Sequence, residues 1–120
     1  MGATFGTKLF TRMHGQRVGE DAAGNVYYRE RKSKAGQRER RWVIYAEVPE
    51  ASSVPPVWQG WLTHTLAESP VEEPPVARPW QSPREASLTG TAAVYYPPCD
   101  QLAGGKRDRT TGDYEAWTPE

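Results

Sequence analysis

All eleven prolines of this 120-residue chain lie at or after Pro49. Proline fixes φ and removes a backbone donor, so it is excluded from helix interiors and central strands. Residues 1–48 are free of that restriction and can form regular structure. Residues 49–120 can do so only between prolines, and Pro70, Pro74, Pro75, Pro79 and Pro83 leave little room. Charge divides at the same place. Residues 1–48 carry 10 basic and 5 acidic side chains, net +5, and residues 49–120 carry 5 and 10, net −5. The formal net charge of zero is the sum of two unlike halves. Leu, Ile, Val and Phe together number 17 in a chain of 120 residues. That share is below the roughly 20% under which chains lean to disorder, although the disorder signature also requires a high net charge.

The first half reads as a short N-terminal segment followed by a small sheet; residues 3–15 suit a helix, although Thr4, Thr7, Phe10 and Thr11 are also acceptable in a strand. Phe5, Leu9 and Met13 recur at i, i+4 and i+8, a helical face. Gln16 to Glu20 is a short strand, and Asp21-Ala22-Ala23-Gly24-Asn25 is a turn. Gly24 and Asn25 tolerate positive φ there, and Asp21 can bond the backbone ahead of it. Asn25 to Arg31 supplies a second strand with Val26, Tyr27 and Tyr28. Lys32 to Gln37 is a polar loop. Arg41 to Tyr45 is the third strand, with Trp42 and Ile44 on one face and Val43 and Tyr45 on the other. Both faces are apolar, so both call for a cover.

Past Pro49 one short helix is expected within residues 53–66. Ser52 or Ser53 would cap it, and Pro55 or Pro56 would sit in its first turn. Trp58, Trp61, Leu62 and Thr65 form its apolar stripe. The fold class is therefore small α+β: a short three-stranded antiparallel sheet plus a short helix over residues 1–66. Residues 67–120 follow as a long, extended, irregular, proline-rich tail.

Catalytic chemistry finds no foothold. His14, His64 and Cys99 are too far apart in sequence for a zinc motif, so no metal or cofactor is expected. No serine lies in a G-x-S-x-G setting, and Cys99 has no local histidine. Gly104-Gly105-Lys106-Arg107 resembles the end of a phosphate-binding loop, but Asp100 and Arg107 stand where that loop needs Gly and Ser or Thr. A lone cysteine suits a reducing compartment. No window approaches the roughly 18 apolar residues that cross a bilayer. The N-terminus has no long apolar run and is not rich in Arg and Ser, so neither a secretory signal nor a transit peptide is expected.

Two binding readings compete. Residues 29–41 hold seven cations, Arg29, Arg31, Lys32, Lys34, Arg38, Arg40 and Arg41, flanked by Tyr27, Tyr28 and Trp42. Basic groups interleaved with aromatics suit nucleic acid, yet the tail is acidic and no nucleic-acid module is recognisable. The alternative is a protein partner. A tiny sheet cannot bury five tryptophans and six tyrosines unaided. Spaced aromatics on a polar tail suit a chain that wraps a large partner, which offsets the ordering entropy over a long contact.

Ordered motifs along the chain bear on this choice. They are Gly19, Asp21, Gly24-Asn25, Tyr27-Tyr28, Arg40-Arg41-Trp42-Val43-Ile44-Tyr45, Val54-Pro55-Pro56, Gly60-Trp61-Leu62, Pro79-Trp80 and Gly112-Asp113-Tyr114-Glu115-Ala116-Trp117. Together they resemble the small 17-kilodalton-type accessory subunit family of respiratory complex I (NADH:ubiquinone oxidoreductase), in its bacterial, alphaproteobacterial form. The assembly factor mimitin is related through the N-terminal part. The resemblance implies a non-catalytic, structural subunit of the respiratory chain on the peripheral arm, near the quinone-proximal module. It implies contact with the ferredoxin-like iron-sulfur subunit and a small zinc-binding accessory subunit. It implies no nucleic acid, no self-association and no membrane contact except through the complex. The location implied is the cytoplasmic face of the bacterial inner membrane, or the matrix side if eukaryotic. An assembly factor is the nearest alternative. On this reading Arg40, Arg41, Trp58, Trp61, Trp80, Tyr95, Tyr114 and Trp117 are the expected partner-contact residues. Trp42, Trp58 and Trp61 are also expected to anchor the compact part. Asp21, Gly24 and Asn25 form the structural turn.

Overall fold

A computed structural model describes residues 3–120. Its contacts divide the chain into two units, Met1–Ser87 and Leu88–Glu120.

The first unit opens with helix α1, Phe5–His14. Thr4 caps it, its side chain accepting a hydrogen bond from the Thr7 N–H. The helix runs directly into the sheet through Gly15. A Cβ at Gly15 would lie 2.6 Å from the Thr11 carbonyl oxygen and 2.9 Å from the Trp42 ring, so only glycine permits this junction. Strands β1 (Gly15–Glu20), β2 (Val26–Glu30) and β3 (Arg41–Ile44) form an antiparallel sheet in the order β1-β2-β3. A register shift between Arg17 and Gly19 bulges β1.

Register determines which rings share a face. Tyr28 pairs with Trp42, and Tyr27 with Val43. The Tyr28–Trp42 face takes α1. Trp42 donates from Nε1 to the Thr11 hydroxyl at 3.0 Å, and Phe10 tilts against the same indole. The expected Phe5–Leu9–Met13 face therefore points the other way, and all three side chains are exposed. Phe10 and Thr11 do the docking, because the hydroxyl satisfies the Trp42 N–H and the short Gly15 junction brings that side of the helix onto the sheet.

The Tyr27–Val43 face takes α2, Pro56–Leu62. A 3₁₀ turn, Ala51–Ser53, precedes it. Ser52 and Ser53 do not cap α2. Pro55 occupies the cap position in extended conformation with no side-chain bond, and Pro56 starts the helix. The Ser53 hydroxyl instead donates to the Glu50 carbonyl at 2.7 Å. The helix also stops earlier than the stripe suggested. His64 takes a left-handed backbone, φ 60°. Its N–H donates to the Trp61 carbonyl at 3.1 Å, and the Thr65 N–H donates to the Gly60 carbonyl at 2.9 Å. That is a Schellman ending with histidine where glycine is usual. Thr65 consequently lies beyond the helix.

Tyr27, Val54, Trp58 and Trp61 are the buried apolar core, with Val18, Val43, Tyr45 and Leu62 packed around it. The compact region is expected to end at residue 66, and the contacts group residues 67–87 with it, dividing the chain after Ser87. Residues 67–87 return to the sheet and α2. Val71 approaches Gly19, where a Cβ would stand 2.7 Å from its methyl group. Ser69 is fully buried, its carbonyl accepting from the Glu72 and Glu73 N–H groups. Arg84 donates to the Ser52 carbonyl, and the Ser87 N–H donates to the Ser52 hydroxyl at 2.9 Å.

The second unit is built of turns and one 3₁₀ segment, Gln101–Ala103. The Asp100 carboxylate accepts from the Leu102 N–H, and Gly104 closes the segment at φ 109°.

Candidate interaction surfaces

The turn after β1 is a hydrogen-bonded hub. One Asp21 oxygen accepts from the N–H groups of Ala23 (2.8 Å) and Asn25 (3.0 Å). The other accepts from the Asn25 side-chain amide (3.0 Å) and the Tyr27 hydroxyl (2.8 Å). Asn25 is itself buried and reaches onward. Its side-chain carbonyl accepts from the Ala46 N–H after β3, and its amide donates to the Ser53 hydroxyl. Gly24 makes the turn possible at φ 84°. One short turn thereby ties β1, β2, the end of β3 and the approach to α2. Burial, and next the Asp21 carboxylate, push the Tyr27 hydroxyl far above the ordinary tyrosine range, so it stays a donor.

Above the hub stands an aromatic stack. The Tyr27 ring lies flat on Trp58, centroids 4.0 Å apart, and Trp58 meets Trp61 edge-on at 5.7 Å. Arg41 closes the stack. Its guanidinium carbon sits 4.7 Å from the centre of the Trp61 ring. It donates to the carbonyls of Trp61 (2.7 Å), Leu66 (3.1 Å) and Ala67 (3.2 Å), and to the Glu39 carboxylate (3.0 Å). A cation at the end of α2 also suits the negative pole of that short helix.

The structure thus separates the expected partner-contact residues into two sets. Trp58, Trp61 and Arg41 belong to the chain's own interior, where Trp58 and Trp61 are buried and Arg41 has four acceptors within the chain. Arg40, Trp80, Tyr95, Tyr114 and Trp117 are exposed. Trp80 lines an apolar groove of about 570 Å³ with Pro56, Val57, Pro75 and Val76. Arg41 as the clamp on α2 was missed in the sequence. The available signal was a cation opening an aromatic strand, but its three carbonyl acceptors lie 20 to 26 residues away.

In the second unit no residue is buried. Polar contacts hold its turns. Arg107 donates to both oxygens of Asp113, one of which also accepts from the Thr110 N–H at 2.7 Å, and Arg109 pairs with Glu115. The Arg107 pair, and then the Thr110 N–H, hold the Asp113 carboxyl below its usual range. These contacts arrange the backbone from which Tyr114 and Trp117 project.

The basic stretch is partly spoken for. Arg29 donates to Gln16, Arg31 to the Gly15 carbonyl, and Arg41 to α2. His14 stacks on Phe10, His64 ends α2, and Cys99 is exposed. Among the described residues no group of three or more His, Cys, Asp or Glu is placed to hold a metal ion. No helix among them is long and apolar enough to cross a membrane.

Stacked rings and a clamped helix define a small α+β scaffold with outward-facing aromatics. Residues 15–119 match a family model described as NADH ubiquinone oxidoreductase subunit NDUFA12, and the chain belongs to that family. Among its relatives is NADH dehydrogenase [ubiquinone] 1 alpha subcomplex subunit 12 of Dictyostelium discoideum, 34% identical over 70% of this chain and 61% of the relative. The Bos taurus protein of the same name is 36% identical over 69% of this chain and 63% of its own length. An uncharacterized protein of Rickettsia prowazekii is 39% identical over 52% of this chain and 64% of its own. The matched region spans less than two thirds of each of these relatives.

Proposed function

We propose that the chain is a non-catalytic accessory subunit of respiratory complex I, stabilising or helping to assemble the peripheral arm near the quinone-proximal module. Family membership supports the complex. One structural observation supports the mode of action: residues 88–120 bury nothing of their own, yet present Tyr95, Tyr114 and Trp117 more than three quarters exposed. Such a segment gains too little by itself to offset its ordering entropy, and a partner surface supplies the missing burial. Tyr and Trp are the residue types that dominate binding energies. Trp80 with its groove, and Arg40, are further contact points on the first unit. The partners on this reading are the ferredoxin-like iron-sulfur subunit and a small zinc-binding accessory subunit, on the cytoplasmic face of a bacterial inner membrane.

Co-purification decides the matter. The native protein should migrate with NADH dehydrogenase activity. A protein that runs alone at 13.5 kDa and never with that activity would refute the proposal. Association with incomplete complexes only would favour the assembly-factor reading. Hydrogen exchange on the isolated chain should find residues 88–120 largely unprotected.

A further inference from the structure

The outward side of α1 has no assigned role, and it lies outside the family match, which begins at residue 15. The side toward the sheet is occupied by Phe10 and Thr11 on Trp42. The opposite side presents Phe5, Leu9 and Met13, exposed to 80%, 44% and 57%. They recur every four residues and form one ridge on a helix with no acidic residue. Lys8 and Arg12 border that ridge and make no ion pair among the described residues. With Arg17 and Arg31 they rim a hollow of about 480 Å³ whose lining includes Gly15 and Tyr28. Arg17 is partly offset by Glu20, and Arg31 holds the Gly15 carbonyl.

We propose that this face adsorbs to an anionic lipid surface, with Phe5, Leu9 and Met13 entering the headgroup boundary and the four cations meeting lipid phosphates. Charge selects the partner's sign. Area selects its kind. Three partly exposed side chains fall short of the roughly 800 Å² per partner that a standard stable protein interface buries. A convex ridge of that size is too small to hold a protein but suits shallow insertion, where electrostatic attraction adds to modest apolar burial. The proposal stands independently of the subunit reading, because it concerns the isolated chain and a bilayer.

Sedimentation of the full chain with vesicles tests it. Vesicles of phosphatidylcholine containing phosphatidylglycerol should bind the protein at about 0.1 M salt and release it near 1 M, where screening acts within about 3 Å. Pure phosphatidylcholine should not bind it. The K8E/R12E variant should lose at least tenfold in affinity, and Phe5→Ser with Leu9→Ser should lose severalfold. All four side chains are exposed, and far-UV circular dichroism should confirm an unchanged fold. Equal binding by wild type and variants, or no binding to anionic vesicles, would overturn the proposal. So would a ridge variant that keeps lipid binding but loses association with a protein.

Discussion

The two units of this chain solve the shortage of aliphatic residues in opposite ways. The first closes a core from rings, stacking Tyr27 on Trp58 and setting Trp58 against Trp61, with Arg41 sealing the last indole. The second has aromatics too, but Tyr95, Tyr114 and Trp117 stay outside, and charged pairs hold its turns. The difference is not aromatic content. It is whether regular structure exists to bring rings from distant positions together. A strand pair and a helix juxtapose Tyr27 and Trp58, which are far apart in sequence, whereas the turns of 88–120 hold contacts between near neighbours. A ring is worth burying only where something rigid faces it.

Substitutions can break that contrast. Trp61→Ala should have the largest effect, lowering the unfolding free energy of the isolated chain by about 3–5 kcal/mol in a denaturant titration. Trp117→Ala should leave that titration unchanged and weaken association with the complex. Equal effects of the two on the isolated chain would abolish the contrast. Arg41→Met should cost about 2 kcal/mol, since three carbonyls of α2 and its exit lose a charged donor. Arg41→Lys should recover only part of that, because an ammonium cannot span them as a planar fork.

Tyr27→Phe should cost about 1 kcal/mol and change the pH profile. The folded-state affinity of Tyr27 for its proton is raised above the unfolded value of 10.0. Its contribution is therefore fully present below about pH 10 and declines as pH rises beyond it, because only the unfolded chain ionises there. Thermal melts from pH 8 to 11 should show this alkaline loss in the wild type and a flatter curve in the variant. At the small end, His64→Gly should stabilise the chain by roughly 1 kcal/mol by relieving the left-handed backbone at the end of α2.

Much of the scaffold was legible because its signals are local. The Asp21–Asn25 turn, the alternation of β3 and the Trp58–Trp61 stripe each follow from residues a few positions apart. What local signals left undecided shares one origin. Ser52 and Ser53 look like caps, yet Pro55 takes the cap position and Pro56 starts the helix, and the serines serve Glu50 and the returning residues 84–87. Phe5, Leu9 and Met13 do share a helical face, but the Thr11–Trp42 bond sets the other side of the helix on the sheet. Arg40 and Arg41 looked equivalent as neighbours on one strand end, but alternation sends only Arg41 toward α2.

The sequence by itself determined where regular structure can occur, since proline placement, turn chemistry and two-residue alternation act over a few bonds. Tertiary structure alone decided which aromatics are core and which are surface. Burial depends on what stands opposite a side chain, and for Trp58, Trp61 and Arg41 the facing groups come from distant parts of the chain.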